Sequence, residues 1–189
     1  MSNQVKQTNP TKVITGKVRF SYANVWEAKA PVEGAQPKFS VSLIIPKSDT
    51  ATLAKIDKAL KAAYEEGLPK LRAASKNVPT FEAIAKPIHD GDVEKPDDPA
   101  YANAFYVSAN SLTAPGIVDA ACNPIVERSE VYSGVYGRAS INFYVYANGV
   151  NKGIACGLNN LQKLSDGEPL GSKASPESDF GGDGDGFLD

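Results

Sequence analysis

The stretch SEVYSGVYGRASINFYVYANGVNKGIACGLNNLQKL, residues 129–164, decides the fold class. Within it Ile141, Phe143 and Val145 alternate with Asn142, Tyr144 and Tyr146. That period of two belongs to a β-strand with one buried face. Asn148 and Gly149 mark a turn, and GIACGLNNLQKL returns as the paired strand. Working outward, NAFYVSAN (103–110) sets Phe105, Val107 and Ala109 against Tyr106, Ser108 and Asn110. KFSVSLII (38–45) sets Phe39, Val41, Leu43 and Ile45 against Ser40, Ser42 and Ile44, and Pro46 ends it. TKVITGKVRFSY (11–22) places Ile14, Val18, Phe20 and Tyr22 on one side, Lys17 and Arg19 on the other, with a bulge expected at Gly16. A connecting segment follows it. Residues 111–126 are strand-rich and punctuated by turns.

One segment keeps a helical period instead. Leu53, Ile56, Leu60, Ala63 and Tyr64 recur at helix spacing, which predicts a helix over 50–66 capped by Ser48 or Asp49 and closed by Gly67 and Pro69. Lys55, Lys58 and Lys61 lie off that stripe and read as a solvated face. Residues 85–101, AKPIHDGDVEKPDDPAY, form a loop long enough to point to function or mobility. The pattern predicts a mostly β protein: an OB-like antiparallel β-barrel with an inserted helix and long loops. A β-sandwich is the alternative, which periodicity alone does not separate.

The chain has 189 residues, 42% of them hydrophobic and 22% charged, enough to bury one core. No apolar run approaches the roughly 20 residues of a membrane span, and the first residues lack the apolar stretch of a secretory signal. There is one histidine, His89, read as exposed in an acidic loop. Cys122 and Cys156 have no CxxC spacing and read as buried small hydrophobes, so a Cys/His zinc site is not expected. Asp90 and Asp92 match no EF-hand loop, and neither a GxxxxGK[ST] loop nor an HExxH motif occurs. No catalytic residue, metal or cofactor is expected, and the chain does not read as an enzyme.

The net charge of -2 hides a split. Asp166, Glu168, Glu177, Asp179, Asp183, Asp185 and Asp189 stand against Lys173 alone in the final segment, whereas Lys6, Lys12, Lys17 and Arg19 precede the first acid, Glu27. We therefore expect a mildly basic nucleic-acid-binding domain over 1–164 and a flexible acidic tail over 165–189. In the body, Tyr132, Tyr136, Tyr144 and Tyr146 gather around Arg138. Outward tyrosines can stack on bases, each worth about 1–3 kcal/mol, and neighbouring cations neutralise phosphates. Lys17, Arg19, Trp26 and Lys152 complete the candidate nucleic-acid surface. The same tyrosines could instead stabilise cross-strand pairs. In the tail, Asp179, Phe180, Asp183, Asp185, Phe187 and Leu188 combine carboxylates with apolar groups. Such a segment suits a basic pocket with a hydrophobic floor on a partner protein, or competes for the chain's own groove.

TGKVRFSYANVWEAK, KFSVSLIIPKSD, the block YSGVYGRASINFYVYANGVNKGIACGLNNLQKLSDGEPLG and the acidic tail together carry a resemblance. The chain resembles the bacteriophage single-stranded-DNA-binding protein family, of OB-fold type with an acidic C-terminal tail. The resemblance implies binding of single-stranded DNA with little sequence preference, a role in phage replication or recombination, and tail contacts with replication or recombination proteins. It places the protein in the cytoplasm of an infected bacterial host, with no membrane partner; a homo-oligomer would suit a small site. In the bacterial single-strand-binding proteins such a tail ends in phenylalanine, whereas here Leu188 and Asp189 follow Phe187. The alternatives are an interaction or inhibitor protein acting through its acidic loop and tail, and a metal-dependent nuclease. RNA as the ligand also stays open.

Overall fold

The computed structural model describes residues 9–170. It is mostly β, with a mixed eight-stranded sheet and one long helix inserted between strands. The strands are β1 (Lys12–Ile14), β2 (Val18–Lys29), β3 (Lys38–Pro46), β4 (Ile88–Asp90), β5 (Ala104–Ser111), β6 (Gly116–Val118), β7 (Tyr136–Asn148) and β8 (Asn151–Ser165). The helices are α1 (Thr50–Ala74) and the single-turn α2 (Gly91–Glu94). β7 and β8 form the expected long hairpin, paired from Tyr136↔Ser165 to Asn148↔Asn151. β2 pairs antiparallel with β3, and β3 with β5. β5 and β6 each meet β8 in parallel, so the sheet is mixed rather than antiparallel throughout as expected, and β7 meets β2 at Val18↔Gly137 and Arg19↔Tyr136.

The inward residues of these strands close over one core. Phe20, Leu43, Ile45, Val107, Ile141, Phe143 and Leu161 are all at most 1% exposed there. Helix α1 adds Ile56, Leu60, Ala63 and Leu71 to the same core. Asp49, one of the two expected caps, accepts a hydrogen bond from the Thr52 amide at 3.1 Å.

Four further expectations need correction. First, α1 does not stop at Gly67. It continues through Pro69 to Ala74, because Leu71, one turn on, is fully buried and anchors the last turn. Gly67 serves packing rather than termination: a Cβ there would collide with the side chain of Val145 on β7. Second, Ile14 and Tyr22 do not share the buried side with Val18 and Phe20. Gly16 lies in a break between β1 and β2, so Val13 faces inward and Ile14 is 41% exposed. Between Ser21 and Asn24 the β2–β3 register shifts, and Tyr22 turns outward with φ 46°. The presumed connection after Tyr22 is a continuation of β2 beyond that bulge. Third, the loop 85–101 is built rather than loose. β4 pairs with β5, and Lys47 ties Asp90 and Asp92 together at 2.9 and 2.8 Å. Fourth, Cys156 is buried but Cys122 is exposed, on a left-handed turn with φ 64°.

Candidate nucleic-acid interface

The outward side of β2, β3 and β5 is laid out in rows by strand register. Arg19 pairs with Ile44, Ile44 with Tyr106, and Tyr106 with His89 on β4. On the far side Arg19 pairs with Tyr136 of β7. The next row is Ser21, Ser42 and Ser108; the one after is Asn24, Ser40 and Asn110. β3 and β5 contain no Asp or Glu, and β2 contains only Glu27, near its end. Ser21 and Ser42 are buried, so the accessible part of the face is lined by Ser108, Ser40, Asn24 and Asn110, with Lys29 and Lys38 beside an open depression at its far edge that also includes Asn24, Ser40 and Asn110.

At the other edge stands a group of rings. Tyr22 is 60% exposed. Its positive φ is a backbone state that costs a bulky L-residue about 1–2 kcal/mol. The ammonium of Lys95, just past α2, sits 5.1 Å from the Tyr22 ring, 5.2 Å from Tyr101 and 5.7 Å from Tyr106. Tyr101 packs edge-on to Tyr106 at 5.1 Å, and His89 lies tilted against Tyr106 at 5.2 Å. Burial, together with the nearby Glu94 carboxylate, raises the Tyr106 phenol above its ordinary value, so it remains protonated. With Ile44 and Ala104 these tyrosines make a small apolar cluster outside the main core, and Leu170 packs against it.

The segment after β8 is fastened across the first row. Arg19 donates through Nε to the Gly134 carbonyl at 3.1 Å and through Nη2 to the Glu168 carbonyl at 2.6 Å. Tyr132 donates to the Gly167 carbonyl at 2.9 Å, and the Leu170 amide to the Ser133 carbonyl at 2.7 Å. Lys163 bridges Glu130 at 3.1 Å and Asp166 at 2.7 Å. Burial works against the charged Lys163, but hydrogen bonds to the two carboxylates outweigh it and leave its pKa raised; Lys163 in turn lowers that of Asp166. Residues 166–170, expected to lie within a flexible tail, are thus held against the body.

Residues 11–187 match the family model described as "Enterobacter phage Enc34, ssDNA-binding protein". This chain belongs to that family. Among solved structures, the Enc34 single-stranded DNA-binding protein in complex with ssDNA superposes with a TM-score of 0.73 at 23% identity, covering 86% of this chain and 91% of that one. The C-terminal truncation of the Enc34 protein gives 0.71 at 24% identity, covering 86% and 90%. The single-stranded DNA-binding protein gp2.5 of bacteriophage T7 gives 0.60 at 12% identity, covering 87% and 97%. These likenesses bear on the fold the family shares. No curated protein matches the chain.

Against that family fold, the residues singled out from sequence fall into separate places. Lys17, Arg19 and Tyr136 come together: the two cations lie 5.2 and 5.3 Å from the Tyr136 ring centre. Tyr132 is half-buried, under the segment that carries Gly167. Arg138, Tyr144 and Tyr146 follow Tyr136 along one face of β7; Arg138 and Tyr144 are exposed, whereas a Cβ on Gly153 would meet the Tyr146 ring. Lys152 opens β8 beside a cleft lined by Val78, Pro79, Ile84 and Val150. Trp26 is half-buried: it packs against the core and donates from Nε1 to the Val131 carbonyl at 2.9 Å. The tail residues Asp179, Phe180, Asp183, Asp185, Phe187 and Leu188 lie outside the described residues.

Sequence reasoning missed Tyr22, Tyr106 and Lys95 as a group. A signal for Tyr22 was present. Val18 and Phe20 are buried at even positions and Val25 at an odd one, so the strand must shift parity between them. Nothing local in DVEKPDD announces that Lys95 reaches three rings.

Proposed function

We propose that this protein binds single-stranded DNA, without strong sequence preference, across the outward face of β2, β3 and β5, and so shields and organises exposed strands in phage DNA replication or recombination. The observation that carries this placement is Tyr22, a large ring held outward in a disfavoured backbone state at the edge of a carboxylate-free sheet face. Strain of that kind persists where the surrounding structure imposes it, and it clusters at functional positions. Membership of the Enc34 family supports the ligand class.

We read the sheet as an OB-like barrel. Pairings run from β2 to β3, β5, β8 and β7 and back to β2, and in OB folds the face of the second and third strands takes oligonucleotides. In this chain those strands are β3 and β5. Bases of an unpaired strand are free to stack on Tyr22, and Ser40, Ser108, Asn24 and Asn110 offer hydrogen bonds tolerant of any base. Lys29, Lys38 and Lys95 supply the positive charge. A duplex keeps its bases stacked inside and gains only the electrostatic part.

The proposed action is non-catalytic and needs no cofactor. Among the described residues no group of three or more His, Cys, Asp or Glu side chains converges on a metal position. In this reading the chain divides into a body over 1–164 and an acidic tail over 165–189, with residues 166–170 docked at its root. The tail recruits replication or recombination proteins, the protein acts in the cytoplasm of the infected host, and self-association lengthens the site.

The test is a competition titration of the full chain with a labelled single strand, against unlabelled single-stranded DNA, matched duplex and RNA at two salt concentrations. Salt-sensitive binding, displaced by single strands at far lower concentration than by duplex, is the expected result. Equal displacement by duplex, or no binding, refutes the reading; RNA as the best competitor changes the ligand.

A further inference from the structure

The outside of the sheet does not end at β5. We propose that the strip formed by β1, β7 and β8 is a second contact surface for the same DNA strand, engaged once the strand outgrows the β2–β3–β5 face, with Tyr144 as its stacking platform. This rests on the single-stranded-DNA reading above.

Register supplies the continuity. The row Asn24, Ser40 and Asn110 runs on, because Asn110 pairs with Gly157, Gly157 with Asn142, and Asn142 with Lys12. Each member points outward, since its chain neighbours Val41, Ala109, Cys156, Ile141 and Val13 are buried. Gly157 has no side chain, and a Cβ there would strike the Asn142 amide, so the crossing from β5 to β7 is low and polar. From Ser40 to Lys12 are four strand steps of about 4.8 Å, or about 19 Å of path.

The strip has the composition that a nucleic-acid strand needs. Residues 131–165 contain no Asp or Glu, and they carry Arg138, Lys152 and Lys163. Lys163 is occupied by two carboxylates, and Lys152, two residues before the buried Ile154, turns to the cleft with Val78, Pro79 and Ile84, which leaves Arg138, with Lys12 added by β1. Arg138 uses Nε on the Thr15 carbonyl at 3.0 Å, which holds an exposed guanidinium in place. Large apolar side chains stay open beside these cations, Tyr144 at 42% and Ile14 at 41% exposure among them. The residue paired with Tyr144 on β8 is Ala155, too small to cover the ring. Tyr146, by contrast, lies against Gly153 and forms a wall rather than a platform. A ring left open among cations on an acid-free sheet face, in register with the first face, fits a continuing single strand better than it fits a protein surface that needs its own acids.

The experiment uses the full chain and labelled oligodeoxythymidylates of about 6 and about 16 nucleotides, sizes within the range that one OB fold covers. Fluorescence anisotropy is read for wild type, Tyr144→Ala, Tyr144→Phe and Lys12→Ala. Tyr144→Ala is expected to weaken the long oligomer roughly tenfold, as loss of one stacked base does, and to leave the short one unchanged. Tyr144→Phe, which keeps the ring, should match wild type at both lengths. Lys12→Ala should lower the log–log salt slope of the long oligomer by about 0.7. Wild-type affinity of Tyr144→Ala for both lengths overturns the second surface, as does an equal loss at both lengths. A change in sedimentation mass on Tyr144→Ala without loss of DNA affinity also overturns it, in favour of a contact between copies. Wild type that binds neither length refutes the underlying reading, and the second surface falls with it.

Discussion

Replacing Tyr22 separates its two roles, backbone and ring, because glycine and alanine both remove the ring while only glycine tolerates the local backbone. Tyr22 sits at φ 46°, where an L-residue pays about 1–2 kcal/mol. Glycine escapes that cost but loses about 0.5–1 kcal/mol to chain entropy. Both variants lose the contact with Lys95, 5.1 Å from the ring, worth about 0.5–1 kcal/mol at an exposed site. Tyr22→Gly should therefore be near wild type in stability, and Tyr22→Ala should be lower than Tyr22→Gly by about 0.5–1 kcal/mol. For a chain of this length 1 kcal/mol is about 2–4 °C in Tm, so the two melting curves should be resolvable by differential scanning calorimetry. Affinity should behave otherwise: both variants should lose the same factor, roughly 5- to 150-fold for one stacked base at about 1–3 kcal/mol. Anisotropy with a single-stranded oligomer reads that loss. If Tyr22→Ala melts at or above Tyr22→Gly, the left-handed backbone argument is wrong. If both bind DNA as wild type does, Tyr22 is not on the interface and the placement of the ligand on β2, β3 and β5 loses its main support.

Gly67→Ala should destabilise the protein by about 1–3 kcal/mol without touching DNA contacts, because the new Cβ collides with Val145 and pushes α1 off β7; a chemical denaturation curve checks this. Native protein should react with one equivalent of a thiol reagent and unfolded protein with two, since Cys122 is exposed while burial raises the Cys156 thiol far above its usual range. Asp92 and Asp166 are held below the ordinary 3.8 chiefly by hydrogen bonds from Lys47 and Lys163 respectively. Their contribution is present above that value and is lost as pH falls through the lowered folded values. A double variant, Asp92→Asn with Asp166→Asn, should melt below wild type at neutral pH and converge with it as pH falls below the lowered folded values of the two carboxyls, as Tm measured against pH will show.

Most of the secondary structure is legible along the chain. The alternation at 141–146 and 38–45 produces β7 and β3 because a half-buried strand sorts side chains every second residue, whatever the rest of the chain does. The helix start is equally local, with Asp49 acting as cap. Its end is not. Gly67 and Pro69 are ordinary stop signals, yet Leu71 finds a place in the core and holds about two more turns. Trp26 shows the same limit: an aromatic near basic residues in sequence is drawn inward by the core and by one hydrogen bond to Val131.

By itself the sequence determined the strand and helix periods, the acid-free strands and the family, because these depend on residue types at short spacing. Tertiary structure alone decided which outward side chains share a face. A bulge at Tyr22 reverses one strand's parity, and pairings between residues as distant as Arg19 and Tyr136, or Asn110 and Gly157, set what stands beside what. Register between strands is set by burial of the whole inner face at once. No local window holds that information, and so Tyr22, Tyr106 and Lys95 meet only in the folded chain.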